Sequence, residues 1–574
     1  MLKTIVATFQ TVMGSSLSQQ SAVDTISQWR AKPTHELIFD SGLRDVSHYF
    51  EAVDRLHHQS SSNLKSFNNE LISIAMARLK HEFASVLRRQ SDHQRGPIST
   101  TTESSFTTDS TAYLFRYEEY VAYEPPSQDV VDYLRNIAQR MSSNGNLKEC
   151  VEIYKNVRKG FLQTHLKRLR FDELSLGLNS KRYVWDELRL KMELWVQVCK
   201  ICVKILFERE KKLCDQIFQG LDSNLAKDEC FLGTVQEFAI HLFNFVEAIS
   251  LSNHSYERME NILGVYSSFM LVLPHANALF DCELGKEVRI KCAEISSKIE
   301  NDVLRLLYDF EKTVLLERSS FSDDRGAVHR STVYAMDQIV IIAKNRELLA
   351  NLIKSAPSLN FGYITVRQDD LGDINRRSFL DQHLILIIVV LQMNLKTKCE
   401  NYKNATLGQL FMMNNVRYIV KRINEGSNGL REMIGESYMR KLDESFRLSM
   451  DNYRALTRGK FLACFEDKGL YITGCFKKSR LSKKAVKRRV KDFNTAYEEL
   501  KDLHSQWMVS DLELRDELRV ALCGDLVPAY VDFLEKLRSD SEINLLLENN
   551  IKYSVKDFDA LILETLFEDT EINV

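Results

Sequence analysis

The chain has 574 residues, a formal net charge of −2, 44% apolar and 27% charged residues, the balance of a folded protein rather than a disordered one. Proline is scarce, with 7 in the whole sequence, against an average usage of about 5%; few breakers and long periodic segments predict an almost wholly helical protein. The longest apolar run, Leu384 to Leu391, has eight residues, short of the roughly 20 a spanning helix needs.

The opening MLKTIVATFQTVMG lacks the cleavage pattern of a secretory signal, so Asn253 and Asn404 read as accidental sequons. Eleven cysteines scattered over apolar helix faces fit reduced thiols in the cytosol. Residues 1–20 are weakly patterned. SAVDTISQWRAKPTHELIF, RDVSHYFEAVDRL and LISIAMARLKHEFASVLRR then predict two or three amphipathic helices, an N-terminal helical region over 1–90. The Ser- and Thr-rich stretch that follows, with Pro97, reads as a linker over 91–115, either a plain spacer or a phosphorylation tract.

A second helical body spans 116–325. Leu134, Ile137, Ala138 and Met141 share a face, SSNGN makes a turn ending at Asn146, and the next helix carries Cys150, Ile153, Tyr154 and Val157. From Trp185 onward Leu188, Met192, Trp195, Cys199, Cys202 and Leu206 form one stripe, opposite Arg189, Glu193, Gln197, Lys200, Lys204 and Glu208. Cys199 and Cys202 have the spacing of half a zinc site. No second pair follows, and both lie on the apolar stripe, so they read as core thiols and no metal is expected.

The polar loop ERSSFSDDRG leads to a middle bundle, 326–464, opened by GAVHRSTVYAMDQIVIIAKNRELLANLI. A second loop runs from Ser355 to about Arg377. Phe379 to Asn394 is apolar nearly all round, as a helix inside a bundle is; FMMNNVRYIVKRI follows, then the break NEGSNG. The C-terminal bundle, 465–574, starts with a loop from Glu466 to Ser482. It continues through a basic helix and SDLELRDELRVALCGDLVPAYVDFLEKLRSD to a last amphipathic helix, Val555 to Phe567.

The charge is concentrated in that bundle. Between Lys477 and Lys491 there are nine Lys or Arg residues in fifteen and no acid, so everything outside the block sums to −11. Val486, Val490, Phe493, Tyr497, Leu500, His504 and Trp507 recur at helical spacing on one face, with Lys484, Lys487, Arg488 and Lys491 opposite. Ser482 is the N-cap candidate. Cations in a first helical turn oppose the dipole, and a rule broken this consistently suggests a site awaiting an external anion. A solvated helix face, a nuclear-localisation signal or a nucleic-acid patch are the alternatives. Phe493, Tyr497 and Trp507 fall on the core face, which leaves no base-stacking platform beside the lysines, so no nucleic acid is expected. A search for catalytic patterns finds no Gly-rich phosphate loop, no nucleophile elbow and no His-Glu-x-x-His pair, so neither an enzyme nor a cofactor is expected.

Several stretches together resemble the family of the seventy-kilodalton exocyst subunit (Exo-seventy), and its plant-type members most. They are HYFEAVDRL with AMARLKHEF, LRNIAQRMSSNGNLKECVEIYKNVR, WDELRLKMELWVQVCKICVKILFEREKKLCDQIF, FMMNNVRYIVKRI, VKRRVKDFNTAYEEL, SQWMVSDLELRDELR and VPAYVDFL, in order from about Ala22 to Phe567. The resemblance implies an all-α fold, an elongated rod of stacked antiparallel helical bundles. It implies a tethering function, holding secretory vesicles to the plasma membrane before fusion, in the cytoplasm and on the cytosolic face of that membrane. It implies as partners the other exocyst subunits, anionic phosphoinositides (phosphatidylinositol bisphosphate) and Rho-type small GTPases.

The candidate lipid contacts are Lys477, Lys478, Lys483, Lys484, Lys487, Arg488, Arg489 and Lys491, with Lys552 from a second family site in which Asn549 replaces the other lysine. Ser479 and Ser482 sit inside the block, where phosphate would compete with lipid. Arg330 stands where the family usually has a proline after the histidine. About twenty residues precede the matching region, so the family's N-terminal coiled-coil helix is expected to be shortened and exocyst assembly correspondingly loose.

Overall fold

The computed structural model describes residues 21–58, 65–93, 120, 125–175, 185–221, 224–250, 259–317, 325–355, 377–426, 429–473 and 479–567. The linker expected over 91–115, the loop between Ser355 and Arg377, Asn253, Lys477 and Lys478 lie largely or wholly outside them. The chain divides into two compact units, Met1–Val303 and Leu304–Val574. Both are helical.

In the first unit α1 (21–31), α2 (Leu43–His58) and α3 (Lys65–His93) precede α4 (Gln128–Ser143) and α5 (Leu147–Arg168). The SSNGN stretch ends α4 at Ser143 and turns through Asn144–Asn146 into α5, with Gly145 at φ +76, a left-handed conformation that glycine adopts without a Cβ clash. Next, α6 (Trp185–Ile201) continues through a π-helical turn, Cys202–Phe207, into α7 (Glu208–Ile217); α8 (Asn224–Ser250) and α9 (Met259–Leu279) follow. The stripe expected from Trp185 onward is buried along its length from Leu188 to Leu206, Cys199 and Cys202 included. The buried face is wider than that stripe, since Val198 and Ile201 before the π turn and Val203, Ile205 and Phe207 within it are buried as well.

Two charged groups on apolar stripes meet inside this unit. Glu210 of α7 accepts from Arg158 Nη2 at 2.8 Å and from the Tyr154 hydroxyl at 2.7 Å, both on α5. In the same way Glu82 of α3, fully buried, accepts from the Ile38 amide at 2.9 Å and the Tyr133 hydroxyl at 3.1 Å, and pairs with Arg78 at 3.2 Å. A buried carboxylate needs such partners, and each pair fixes where neighbouring elements dock.

The division between units falls inside α10 (Lys286–Leu315). The second unit continues with α11 (Arg330–Lys344), α12 (Arg346–Ser355), α13 (Phe379–Glu400), α14 (Ala405–Glu425), the short α15 (Leu430–Ile434) and α16 (Glu436–Phe465). His329 caps α11, so Arg330 occupies its first position, where a proline would be equally at home because that N–H needs no helical partner. Asn404, the second sequon, caps α14 by accepting from the Thr406 and Leu407 amides at 3.0 and 3.4 Å. Within α14 the Asn pair of FMMNN is buried. Asn414 donates to the Gly326 and Met508 carbonyls, both at 2.8 Å, while Asn415 accepts from the His329 amide at 2.9 Å and the Thr332 hydroxyl at 2.6 Å.

Two expectations change here. Met259–Leu279 and Phe379–Glu400 are both long and apolar enough to cross a membrane by length and composition, which the short apolar run did not disclose. Their most apolar windows are 50% and 56% buried among neighbouring helices, as interior helices of a bundle are. The loop expected from Glu466 to Ser482 contains an antiparallel hairpin, β1 (Tyr471–Thr473) on β2 (Ser479–Leu481). After it come α17 (Lys483–His504), α18 (Leu512–Arg538), α19 (Ser541–Asn550) and α20 (Val555–Ala560), which ends in a π turn, Leu561–Thr565.

Candidate functional site

The basic helix α17 is organised as its spacing implies. Ser482 caps it, its hydroxyl accepting from the Ala485 amide at 3.3 Å. Val486, Val490, Phe493, Tyr497, Leu500 and His504 all face the core. Phe493 stacks on Tyr530 at 4.1 Å and Tyr497 on Tyr553 at 3.7 Å, which binds α17 to α18 and to the segment before α20. Trp507, just past the helix, is buried with its ring 4.2 Å from that of His504. His504 itself is enclosed, bonded to the Tyr453 hydroxyl at 2.8 Å and the Leu500 carbonyl at 2.9 Å, and burial lowers its pKa to about 3. The aromatic residues of α17 therefore serve packing.

The predicted cations separate into groups. Lys484, Lys487, Arg488 and Lys491 are exposed on the face opposite the core. The carboxylate paired with Arg488 is Asp492, at 3.9 Å. Lys483 is also exposed but pairs with Glu542 of α19 at 2.9 Å. Lys483 first, and Arg480 after it, hold that carboxyl below its usual range. Lys552 pairs with Glu498 of α17 at 3.1 Å, and Tyr553 donates to the same carboxylate at 3.0 Å. Glu498 is seven residues on from Lys491, hence on the same side of the helix.

Arg489 departs from expectation. Its guanidinium is turned inward, donating to the carbonyl of Ala463 near the end of α16 and, at 3.1 Å, to that of Lys468 before the hairpin. The Ala463 carbonyl is one that a helix end leaves without a partner and the Lys468 carbonyl lies just past that end, so Arg489 has a structural task rather than a free contact.

The hairpin is the part that sequence reasoning missed. It joins α17 directly, since the Ser482 amide donates to the Leu470 carbonyl at 2.8 Å. Ile472 lies opposite Arg480, and Tyr471 opposite Leu481. Leu481 leans on the C-terminal core, while Ile472 is 57% exposed and Tyr471 47%. The alternation in YIT and SRL was the available signal, three residues in each strand. The site is thus an open, cationic helix face with a short hairpin at its start. No group of His, Cys, Asp and Glu among the described residues is arranged to hold a metal ion. Such a face suits contact with an extended anionic surface.

A family model for the C-terminal part of the Exo70 exocyst complex subunit matches residues 193–564, and one for the N-terminal part of the exocyst complex component Exo70 matches 19–89. The exocyst complex component EXO70C2 of Arabidopsis thaliana is 27% identical over 562 residues, covering 91% of this chain and 77% of that protein. EXO70A1 of the same plant is 27% identical over 549 residues, covering 92% and 83%. Among solved structures, Exo70p of S. cerevisiae aligns with a TM-score of 0.49 at 14% identity, over 95% of this chain and 99% of that one. The C-terminal model alone spans well over half of the sequence, from within α6 to the final π turn, and the chain belongs, as a plant-type member, to the Exo70 family of exocyst complex subunits.

Proposed function

We propose that this chain is a non-enzymatic exocyst subunit that helps tether secretory vesicles to the plasma membrane. It works from the cytoplasm, on the cytosolic face of that membrane, through the cationic face of α17 bound to phosphoinositide headgroups. The observation that carries the reading is the exposure of Lys484, Lys487, Arg488 and Lys491 on one side of a helix whose other side is core. Lys483 and Lys552 each have a carboxylate partner and join the site by exchanging it for a phosphate. Lys477 and Lys478, the first residues of the basic block, fall in sequence between β1 and β2. Other exocyst subunits and Rho-type small GTPases are the protein partners of this reading.

Juxtamembrane cations contribute about 1 kcal/mol each at an anionic surface, so four give about 4 kcal/mol, near a thousandfold in binding. Reversing Lys484, Lys487, Arg488 and Lys491 to Glu is therefore expected to abolish co-sedimentation with vesicles containing phosphatidylinositol bisphosphate, while circular dichroism stays helical. Undiminished co-sedimentation would refute the lipid assignment. Affinity isolation from native cells tests the complex: recovery of the chain without any other exocyst subunit would refute membership in the assembly.

A further inference from the structure

We propose that the groove between α2 and α4 is a docking site for an amphipathic helix of a partner protein, one whose apolar stripe is bordered by Lys and Arg. The groove lies wholly within the first unit and shares no residue with the lipid face proposed for α17. It exists because α2 carries more apolar surface than its core contact uses. Tyr49, Ala52, Val53 and Leu56 are buried on one side, and helical spacing sets Leu43, Val46 and Phe50 along an adjoining edge. That edge lines a groove of about 660 Å³, whose apolar floor is completed by Phe39 from the turn before α2 and Tyr133 from α4. Phe39 and Phe50 both lie against the Tyr133 ring, with centroids 4.9 and 5.5 Å away. Leu43 is 87% exposed, a large apolar side chain at the mouth of the groove.

The groove is built before any partner arrives. Both walls are tied to α3, the Tyr49 hydroxyl donating to the Ala75 carbonyl at 3.5 Å and the Tyr133 hydroxyl to Glu82 at 3.1 Å. One end is closed: Arg140 of α4 pairs with Asp54 of α2 at 2.7 Å and sits 4.2 Å above the Phe50 ring, and His57 meets Asn144 at 2.9 Å. Leu43 and Asp129 stand at the open end, about three turns before that ion pair on their own helices, so the trough is roughly 16 Å long. Two helical walls with a trough of that length receive a third helix by ordinary helix-in-groove packing. The rim decides its charge. Among the described residues that line the groove, Glu51, Asp129 and Asp132 stand against one cation, Arg140, which Asp54 already neutralises. Glu51 and Asp132 share exposed pairs with Arg55 and Arg135 of their own helices, at 3.2 and 2.7 Å, and such pairs yield readily to a competing cation. Asp129 has no ion pair among the described residues. An acidic rim repels an anionic membrane and steers a helix with basic borders, while the aromatic floor takes up its apolar stripe.

The experiment uses the full chain and two fluorescent peptides of about 15 residues, long enough to form a helix. Both carry the same leucine stripe at helical spacing, with lysine at every other position in one and glutamate in the other. Fluorescence anisotropy is expected to show the lysine peptide bound roughly tenfold more tightly than the glutamate peptide. Leu43→Ser, at a position already in solvent, is expected to weaken the lysine peptide roughly tenfold through lost apolar burial. The double variant Glu51→Lys, Asp129→Lys is expected to reverse the ranking of the two peptides, a result that a folding defect cannot produce. A photo-cross-linking variant, Ser47→p-benzoylphenylalanine, is expected to capture the lysine peptide, because Ser47 lines the groove. Equal binding of the two peptides, an affinity unmoved by Leu43→Ser, or a bound peptide that position 47 fails to capture would overturn the proposal. Cross-links from position 47 to a second copy of the chain, or to another segment of the same chain, would also overturn it, by assigning the groove to this protein itself.

Discussion

Lys484 and Arg489 stand five residues apart on one helix and carry the same charge, yet their surroundings give them opposite tasks. Lys484 is exposed, so Lys484→Ala should change folding stability by less than about 0.5 kcal/mol. Arg489 donates to two backbone carbonyls at the α16 end, and Arg489→Ala should lower stability by about 1–2 kcal/mol, read from the urea midpoint. A second residue-scale contrast lies in the second unit, where Glu311 of α10 and His383 of α13 are both buried, with Oε2 and Nε2 3.7 Å apart. Burial raises the Glu311 carboxyl from 4.5 to about 7 and lowers the His383 imidazole from 6.5 to about 4. Between pH 4.5 and 6.5 the unfolded chain holds one proton on the imidazole and the folded chain holds one on the carboxyl, so the pair adds no pH slope. From pH 6.5 to about 7 the folded state alone keeps a proton, and stability falls as pH rises through that window. Glu311→Gln removes the carboxyl and leaves the histidine. The variant should therefore gain on wild type as pH rises from 4.5 to 8, and thermal midpoints that stay a constant distance apart over that range would contradict the assignment.

At the scale of elements, α14 and α17 show how one helix positions others. Asn415 of α14 accepts from the His329 amide and the Thr332 hydroxyl in the core, holding the start of α11, and Asn414 does the same for the chain at Gly326 and Met508. Asn415→Ala leaves two buried donors without their acceptor and should cost about 2–3 kcal/mol in denaturant unfolding, against well under 1 kcal/mol for an exposed α14 position. On α17, His504 is neutral when folded, with its pKa lowered from 6.5 to about 3. The unfolded chain binds a proton there below pH 6.5 and the folded chain does not, so this group contributes stability that is lost as pH falls from 6.5 toward 3. The same helix offers its cations on the other side. Its packing and the lipid contact proposed for it are therefore separable by mutation.

For the whole molecule, the relevant contrast is nine cations within fifteen residues against a net −11 everywhere else. Most of the surface is repelled by an anionic membrane and one short region is attracted, so electrostatics favours a single orientation of approach. Screening acts on both at once, with a Debye length of about 10 Å at 0.1 M salt and shorter above it. Binding to anionic vesicles should fall several-fold between 0.05 and 0.3 M NaCl. A flat salt dependence would mean that α17 is not the contact.

The arrangement of α17 was legible in its sequence because spacing and burial are linked by helix geometry alone. Valines, aromatics and leucines at steps of three and four must share a face, a serine before the first turn must cap it, and the remaining lysines must point away. The stripe from Leu188 to Leu206 and the all-round apolar α13 were readable for the same reason. Arg158 and Glu210 were not singled out by spacing, and their burial and pairing emerge only in the structure. The partners themselves come from distant chain. Glu542 reaches Lys483 across 59 positions, the Ala463 carbonyl lies 26 positions from Arg489, and Asn415 meets His329 over 86. The hairpin was hidden because strands of three residues carry too few alternations to announce themselves, and they hold only against a helix end already in place. Periodicity is a local property of the chain and assigns each residue a side. Whether a cation on that side meets solvent, a carboxylate or a carbonyl is decided by what else folds against it, and only tertiary structure brings those groups within hydrogen-bond distance.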